Sequence, residues 1–257
     1  MKLPHSPKAV LIDLAGVLHI GNQPVPGAIS ALAQLRASGI PVRFLTNTTR
    51  SPRSAIVGML QQMGFEIALA EVQTAVLATQ QYVMSRWKAP YWLAHPAIAE
   101  EIGMSHSEPD VVVLGDAGEH FTFARMNEAF RLLVQGLPFV AMAKNRYFQE
   151  EDGLTIDMGA YVTALEFATG QSATVVGKPS RHFFLGALQS LGVSPEEAVL
   201  VGDDLRDDIG GAQEAGIAGV LVRTGKYRAG DEQHPQIQPA LVADDFAAAV
   251  SVLLNSR

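Results

Sequence analysis

The sequence predicts an α/β fold in which a doubly wound parallel sheet forms the core and a smaller α/β unit is inserted into it. Short apolar runs end in polar residues, helical stretches fall between them, and the long stretch from Thr46 to Lys178 carries an alternation of its own. The runs are residues 9–12 before Asp13, 42–45 before Thr46, 175–176 before Gly177 and Lys178, and 199–201 before Gly202 and Asp203. Runs this short and apolar read as parallel strands buried on both faces. Helical stretches follow at residues 28–38, with Ile29, Leu32 and Leu35 on one face, and at 54–63, 181–191 and 209–215. A strand and helix at 241–254 close the core, after a loop-like stretch at 230–239. The inserted part reads as a helix at 72–87, strands at 91–93 and 111–114, a helix at 123–135 and a strand at 139–143. Residues 1–80 and 176–257 are therefore expected to form the core, and 81–175 the cap.

Composition narrows the function. With 257 residues, 48% of them hydrophobic, the chain can bury a substantial core. A net charge of -7 with scattered Lys and Arg argues against nucleic acid and for a small-molecule partner. The absence of cysteine excludes a disulfide framework and a thiolate zinc site, leaving carboxylates, carbonyls and histidines, a donor set that suits a hard cation such as magnesium. No apolar run approaches the roughly 20 residues of a membrane span, and the N-terminus carries no signal-peptide pattern. The expectation is a cytoplasmic protein without a membrane partner.

In doubly wound sheets ligands bind beyond the carboxyl ends of the strands, so Asp13, Thr46 and Asp203 are expected to converge. Asp13 at a strand end can attack phosphorus, and Gly16 lets the chain turn and expose its amides. An isolated strand-end aspartate serves equally to cap a turn. Thr46 and Asn47 offer a hydroxyl and an amide to phosphoryl oxygens, although both residue types also cap helices for purely local reasons. Lys178, just before a helix, can neutralise both a carboxylate and a transferring phosphoryl group, whereas a lone loop lysine is otherwise simply solvated. The strongest element is residues 201–209, four aspartates behind a buried strand, whose repulsion a divalent cation would relieve. Asp203 is the expected direct ligand and Asp208 an outer or water-mediated one. Asp204 and Asp207 are expected to face solvent or pair with Arg206. A cluster of caps and salt bridges is the competing reading.

Taken in order, these four elements resemble the haloacid dehalogenase superfamily, over essentially the whole chain. The long insertion between the second and third elements is similar to the subgroup with a C2-type cap (type IIA), as in nitrophenylphosphatases. The resemblance implies a Rossmann-like core and a magnesium-dependent phosphatase forming an aspartyl-phosphate on Asp13. Carried over by position, Thr46 and Asn47 bind phosphate, Lys178 clamps charge, and Asp13, the Ala15 carbonyl and Asp203 hold magnesium. A cap-mediated homodimer is a further implication.

One position departs from the pattern. Most phosphatases of the superfamily have an aspartate two residues after the nucleophile, where this chain has Ala15. Losing such a general acid/base costs about 10²–10⁴ in rate. Substrates with good leaving groups, such as pyrophosphates, acyl phosphates and N–P compounds, suffer less. The alternative is a catalytically weak regulatory protein that binds metal and phosphate. In the cap, Lys144, Asn145 and Arg146 can contact a substrate's distal part or form a solvated loop. Phe121, Phe123, Met126 and Phe130 lie at helical spacing and are expected in the cap core, with His95 and His106 at the surface.

Overall fold

The computed structural model describes residues 2–4, 6–150 and 153–255. By its internal contacts the chain divides into two compact units. One comprises Met1–Thr46, Arg53–Gln73 and Lys178–Arg257; the other comprises Asn47–Pro52 and Thr74–Gly177. The helix Ala75–Met84, which a boundary at residue 80 would split, packs against Ala99–Ile102 and lies wholly in the second unit.

The first unit is built on a six-stranded sheet in the order Leu241–Ala243, Ala218–Val222, Ala198–Gly202, Ala9–Asp13, Val42–Thr46, Val72–Thr74. Ala9–Asp13, buried at every residue, runs parallel to both neighbours. Its register sets Ile12 opposite Val201 and Asp13 opposite Leu45, so the three central strands end nearly level. The two-residue period of a strand then sorts the core. Val10, Ile12, Val199, Val201, Val220 and Val222 pack with Leu32 and Leu35 of helix Ala28–Ala37 and with Phe246 and Val250 of helix Phe246–Asn255. Leu221, one residue out of phase, packs instead with Leu205 and Ile209.

The second unit holds a four-stranded parallel sheet, ordered Thr174–Val175, Phe139–Ala141, Val111–Leu114, Pro90–Leu93. It also holds the antiparallel hairpin of Tyr147–Glu150 and Gly153–Ile156. Among the described residues no helix is long and apolar enough to cross a membrane.

Three expectations are corrected and one omission is filled. Residues 175–176 do not form a core strand: Thr174–Val175 joins the cap sheet, and the amides of Val176 and Gly177 donate to Ala141 and Met142 carbonyls at 3.0 and 2.8 Å. The expected helix at 72–87 begins later. Val72–Thr74 is the edge strand of the core, and the Thr74 hydroxyl caps the following helix by accepting the Leu77 amide at 3.0 Å. Ala218–Val222, which sequence reading overlooked, is an inner strand of the core sheet. Phe123 is 85% exposed at the start of helix Phe123–Val134, whose buried residues are Ala129 and Leu133. Phe121 does pack, stacked on Tyr161 at 3.8 Å between ring centres.

Candidate active site

Because the central strands end level, their following loops meet at one edge of the core sheet. Asp13 ends its strand in a buried position, Thr46 ends the next, and Asp203 directly follows the third. Lys178 opens the last segment of the core unit and is 6% exposed. Its ammonium donates to Asp13 Oδ1 at 2.5 Å and to Asp208 Oδ1 at 2.7 Å. Burial alone would lower the pKa of Lys178, but Asp13 and Asp208 outweigh it and hold the group above the usual lysine range. The lysine therefore stays charged.

The acidic loop is folded by its own side chains. Asp204 Oδ1 accepts the amides of Arg206 and Asp207 at 2.9 and 3.0 Å, starting a wide turn over Leu205–Gly210. That turn brings Asp208 back over Gly202, where a built Cβ would lie 2.4 Å from the Asp208 Cβ. Asp208 is buried, and its Oδ2 accepts the Asp204 amide at 3.2 Å. Asp204 also pairs with Lys226 at 3.2 Å, so its cationic partner is Lys226 rather than the expected Arg206. Asp207 is half-buried and not fully solvent-facing.

One oxygen each from Asp13, Asp203 and Asp208 lies within 4.8 Å of the others. Three buried carboxylates facing a single ammonium leave two negative charges in surroundings that solvate them poorly. Burial, with Asp13 and Asp208 adding to it, pushes the pKa of Asp203 up to about 8. Burial and Asp13 likewise push Asp208 up to about 6 against the opposing pull of Lys178. An all-oxygen donor set with this charge deficit fits a divalent hard cation.

The loop after Asp13 closes tightly. The Leu14 carbonyl accepts the Leu18 amide at 2.9 Å, and the Gly16 amide donates to the His19 carbonyl at 2.7 Å. Gly16, expected to let the chain turn and expose its amides to a substrate, also leaves space. With φ at 93° it sits so close to Asp203 that a built Cβ would be 2.0 Å from Oδ2. Ala15 is exposed. Asn47 is half-buried within the second unit, and its Nδ2 donates to Asn145 Oδ1 at 3.3 Å. Lys144 is held by Glu166 at 2.6 Å.

Sequence reasoning saw residues 224–228 as a stretch similar to the family but assigned the loop at 224–226 no role in the site. The Thr224 hydroxyl donates to the Gly16 carbonyl, and the Lys226 amide donates to Asp203 Oδ2 at 2.7 Å. A usable sign was present: Gly225 and Lys226 follow the apolar run 220–222, repeating the strand-then-turn pattern of the other site loops.

Known proteins are similar to this chain in sequence and fold. A family model described as haloacid dehalogenase-like hydrolase matches residues 10–121, and one described as HAD-hydrolase-like matches 175–249. Haloacid dehalogenase-like hydrolase domain-containing protein 2 of Bos taurus is 46% identical over 249 residues, covering 96% of each chain. Phospholysine phosphohistidine inorganic pyrophosphate phosphatase of Rattus norvegicus is 41% identical over 255 residues, covering 96% of this chain and 94% of that one. The glycerol phosphate phosphatase of Mycobacterium tuberculosis, solved in complex with magnesium, superposes with a TM-score of 0.86 at 27% identity, covering 94% of this chain and 76% of that one.

Proposed function

The chain belongs to the haloacid dehalogenase-like hydrolase family, and from that premise we propose that it is a magnesium-dependent phosphatase forming an aspartyl-phosphate on Asp13. One observation carries the reading: three buried carboxylates lie within 4.8 Å of one another with a single buried ammonium bonded to two of them, Asp13 and Asp208. A purely structural cluster would be expected to balance its buried charges.

In this reading the Asp13 carboxylate attacks phosphorus, and the bond to the leaving group breaks with its electron pair. Lys178, permanently charged, offsets the negative charge of nucleophile and phosphoryl group. The Thr46 hydroxyl and Asn47 amide are the donors assigned to phosphoryl oxygens. Water then attacks phosphorus, releasing phosphate and restoring the carboxylate. Asp13, Asp203 and the Ala15 carbonyl would hold magnesium beside Asp208, and the ion would supply positive charge to the phosphoryl oxygens.

Ala15 shapes the substrate class. With no carboxyl at this position to protonate a departing alkoxide, the chemistry favours small compounds whose leaving group departs without help: pyrophosphates, acyl phosphates and N–P compounds. The relative named for phospholysine, phosphohistidine and pyrophosphate is consistent with this preference. The same alanine supports a second reading, a metal- and phosphate-binding regulatory protein that turns over little.

Phosphate release measured across monoesters, pyrophosphate, acyl phosphates and phosphoramidates decides between them. The expected outcome is magnesium-dependent release, lowered more than about 10⁴-fold by Asp13→Asn. Equal release in chelator would overturn the phosphatase reading. Magnesium binding without release from any substrate would favour the regulatory one.

A further inference from the structure

The strand Ala218–Val222 leads into a loop that crosses Asp203 and reaches the loop after Asp13. Three contacts define this crossing. The Thr224 hydroxyl donates to the carbonyl of Gly16, the residue following Ala15. The Lys226 amide donates to Asp203 Oδ2 at 2.7 Å, which fixes the carboxylate's rotation while leaving Oδ1 out of that bond. Between them Gly225, with φ at 57°, lies so close that a built Cβ would fall 2.0 Å from Asp203 Oδ2 and 2.5 Å from the Gly16 Cα. Gly16 approaches the same oxygen from its own loop, also at 2.0 Å from a built Cβ. The Asp203 carboxylate is thus held between two glycines of different loops and pinned by one amide. The Lys226 side chain adds an outer tie to Asp204 at 3.2 Å.

We propose that the loop Thr224, Gly225 and Lys226 is a positioning element of the metal site, locking the acidic loop and the nucleophile loop into one geometry. The proposal rests on the reading of Asp203 and the Ala15 carbonyl as magnesium ligands. Its logic is that of a preorganised site: a ligand whose free oxygen is already aimed loses less freedom when it binds. Thr224 anchors the peptide next to the Ala15 carbonyl, and the Lys226 amide anchors Asp203. Neither residue is a catalytic residue.

Calorimetric titration of magnesium alone into the folded, metal-free protein, well below its Tm, tests the role without reference to turnover. Thr224→Val keeps the shape but removes the hydroxyl, and is expected to weaken magnesium binding roughly tenfold. Thr224→Ser, which restores the donor, is expected to bind within about twofold of the wild type. Gly225→Ala, which forces a methyl against Asp203, is expected to lose more affinity than Thr224→Val. A loop that merely packs would lower the Tm in chelator and leave the magnesium affinity of the folded protein unchanged; that result in Thr224→Val overturns the proposal, whether or not Gly225→Ala folds. The two readings fail separately. Normal binding by Thr224→Val in a protein that hydrolyses phosphate removes the loop's role and leaves the phosphatase. Wild-type binding without hydrolysis does the reverse.

Discussion

The two units carry the same kind of sheet, parallel with loops at the carboxyl ends of its strands, yet the two edges are chemically opposite. At the core edge Asp13, Asp203 and Asp208 face one lysine. At the cap edge the strands ending at Leu93, Leu114 and Ala141 run into buried Ala94 and Met142, which fill the space over Gly115: a built Cβ there would lie 2.8 Å from the Met142 Sδ and 3.0 Å from the Ala94 Cβ. The buried acid of that edge, Asp116, is matched by Arg50 at 2.6 Å. A parallel sheet supplies the platform, while the chemistry comes from leaving its charges unbalanced on one of two similar edges.

The comparison can be broken most forcefully at Ala15. Because the residue is exposed, Ala15→Asp has room for a carboxylate. It is expected to raise monoester hydrolysis by about 10²–10⁴, read as kcat on an alkyl phosphate monoester, whose alkoxide leaving group needs a proton. No change, with magnesium still binding, would show that a missing proton donor is not what limits the core edge.

A second effect is set by pH. Asp203 and Asp208 must shed protons to receive a cation, and their folded pKa values are raised to about 8 and about 6. Magnesium affinity, followed by calorimetry, is therefore expected to fall by up to about tenfold per unit as pH drops from 8 to 6. Stability in chelator should run the other way. The folded chain retains protons that unfolded aspartates, with pKa near 4, have already lost, so this stabilisation is complete below that value and is lost as pH rises towards 8. A Tm that falls over this window, and is restored by magnesium, would sharpen the contrast; a flat profile in chelator would remove it.

The smallest effect is expected at the cap edge. Asp116→Ala removes the ion pair to Arg50, whose side chain is a third exposed, and should cost roughly 1–3 kcal/mol in denaturant unfolding. Magnesium affinity should stay at the wild-type value, since the Asp116 pair belongs to the second unit. A shift in that affinity would mean that the edges are not chemically separate.

The sequence made the core edge more legible than its surroundings. Asp13, Thr46 and Asp203 follow short, largely apolar runs, and buried strands announce their ends by a polar residue. The strand Ala218–Val222 was harder to read because Gly219 interrupts it, and glycine disfavours strands. Its lack of a side chain has a packing cause, since a built Cβ would lie 3.0 Å from Ile209 Cγ2. Overlooking that strand left the Thr224 loop without an assigned role. Thr174–Val175 misled for another reason: two paired residues do not reveal which sheet they join, and hydrogen bonds to the strand at Phe139–Ala141 decide it. The pairing of Asp208 with Lys178 was equally invisible, because a wide turn carries that aspartate back over Gly202.

The register of the central strand also bears on how the protein comes into being. Ala9 pairs with Ala198, so the contact that brings Asp13 beside the acidic loop closes a loop of nearly 190 residues. Such distant pairings form late, since the entropy of closure must be met before the contact repays it. During synthesis the strand bearing Asp13 leaves the ribosome long before its central neighbour exists, while the inserted unit has all but a few of its residues in one continuous stretch. The nascent chain therefore carries an apolar strand with one of its two edges unpaired through most of its elongation, and a product truncated before residue 198 would hold Asp13 without the acidic loop beside it.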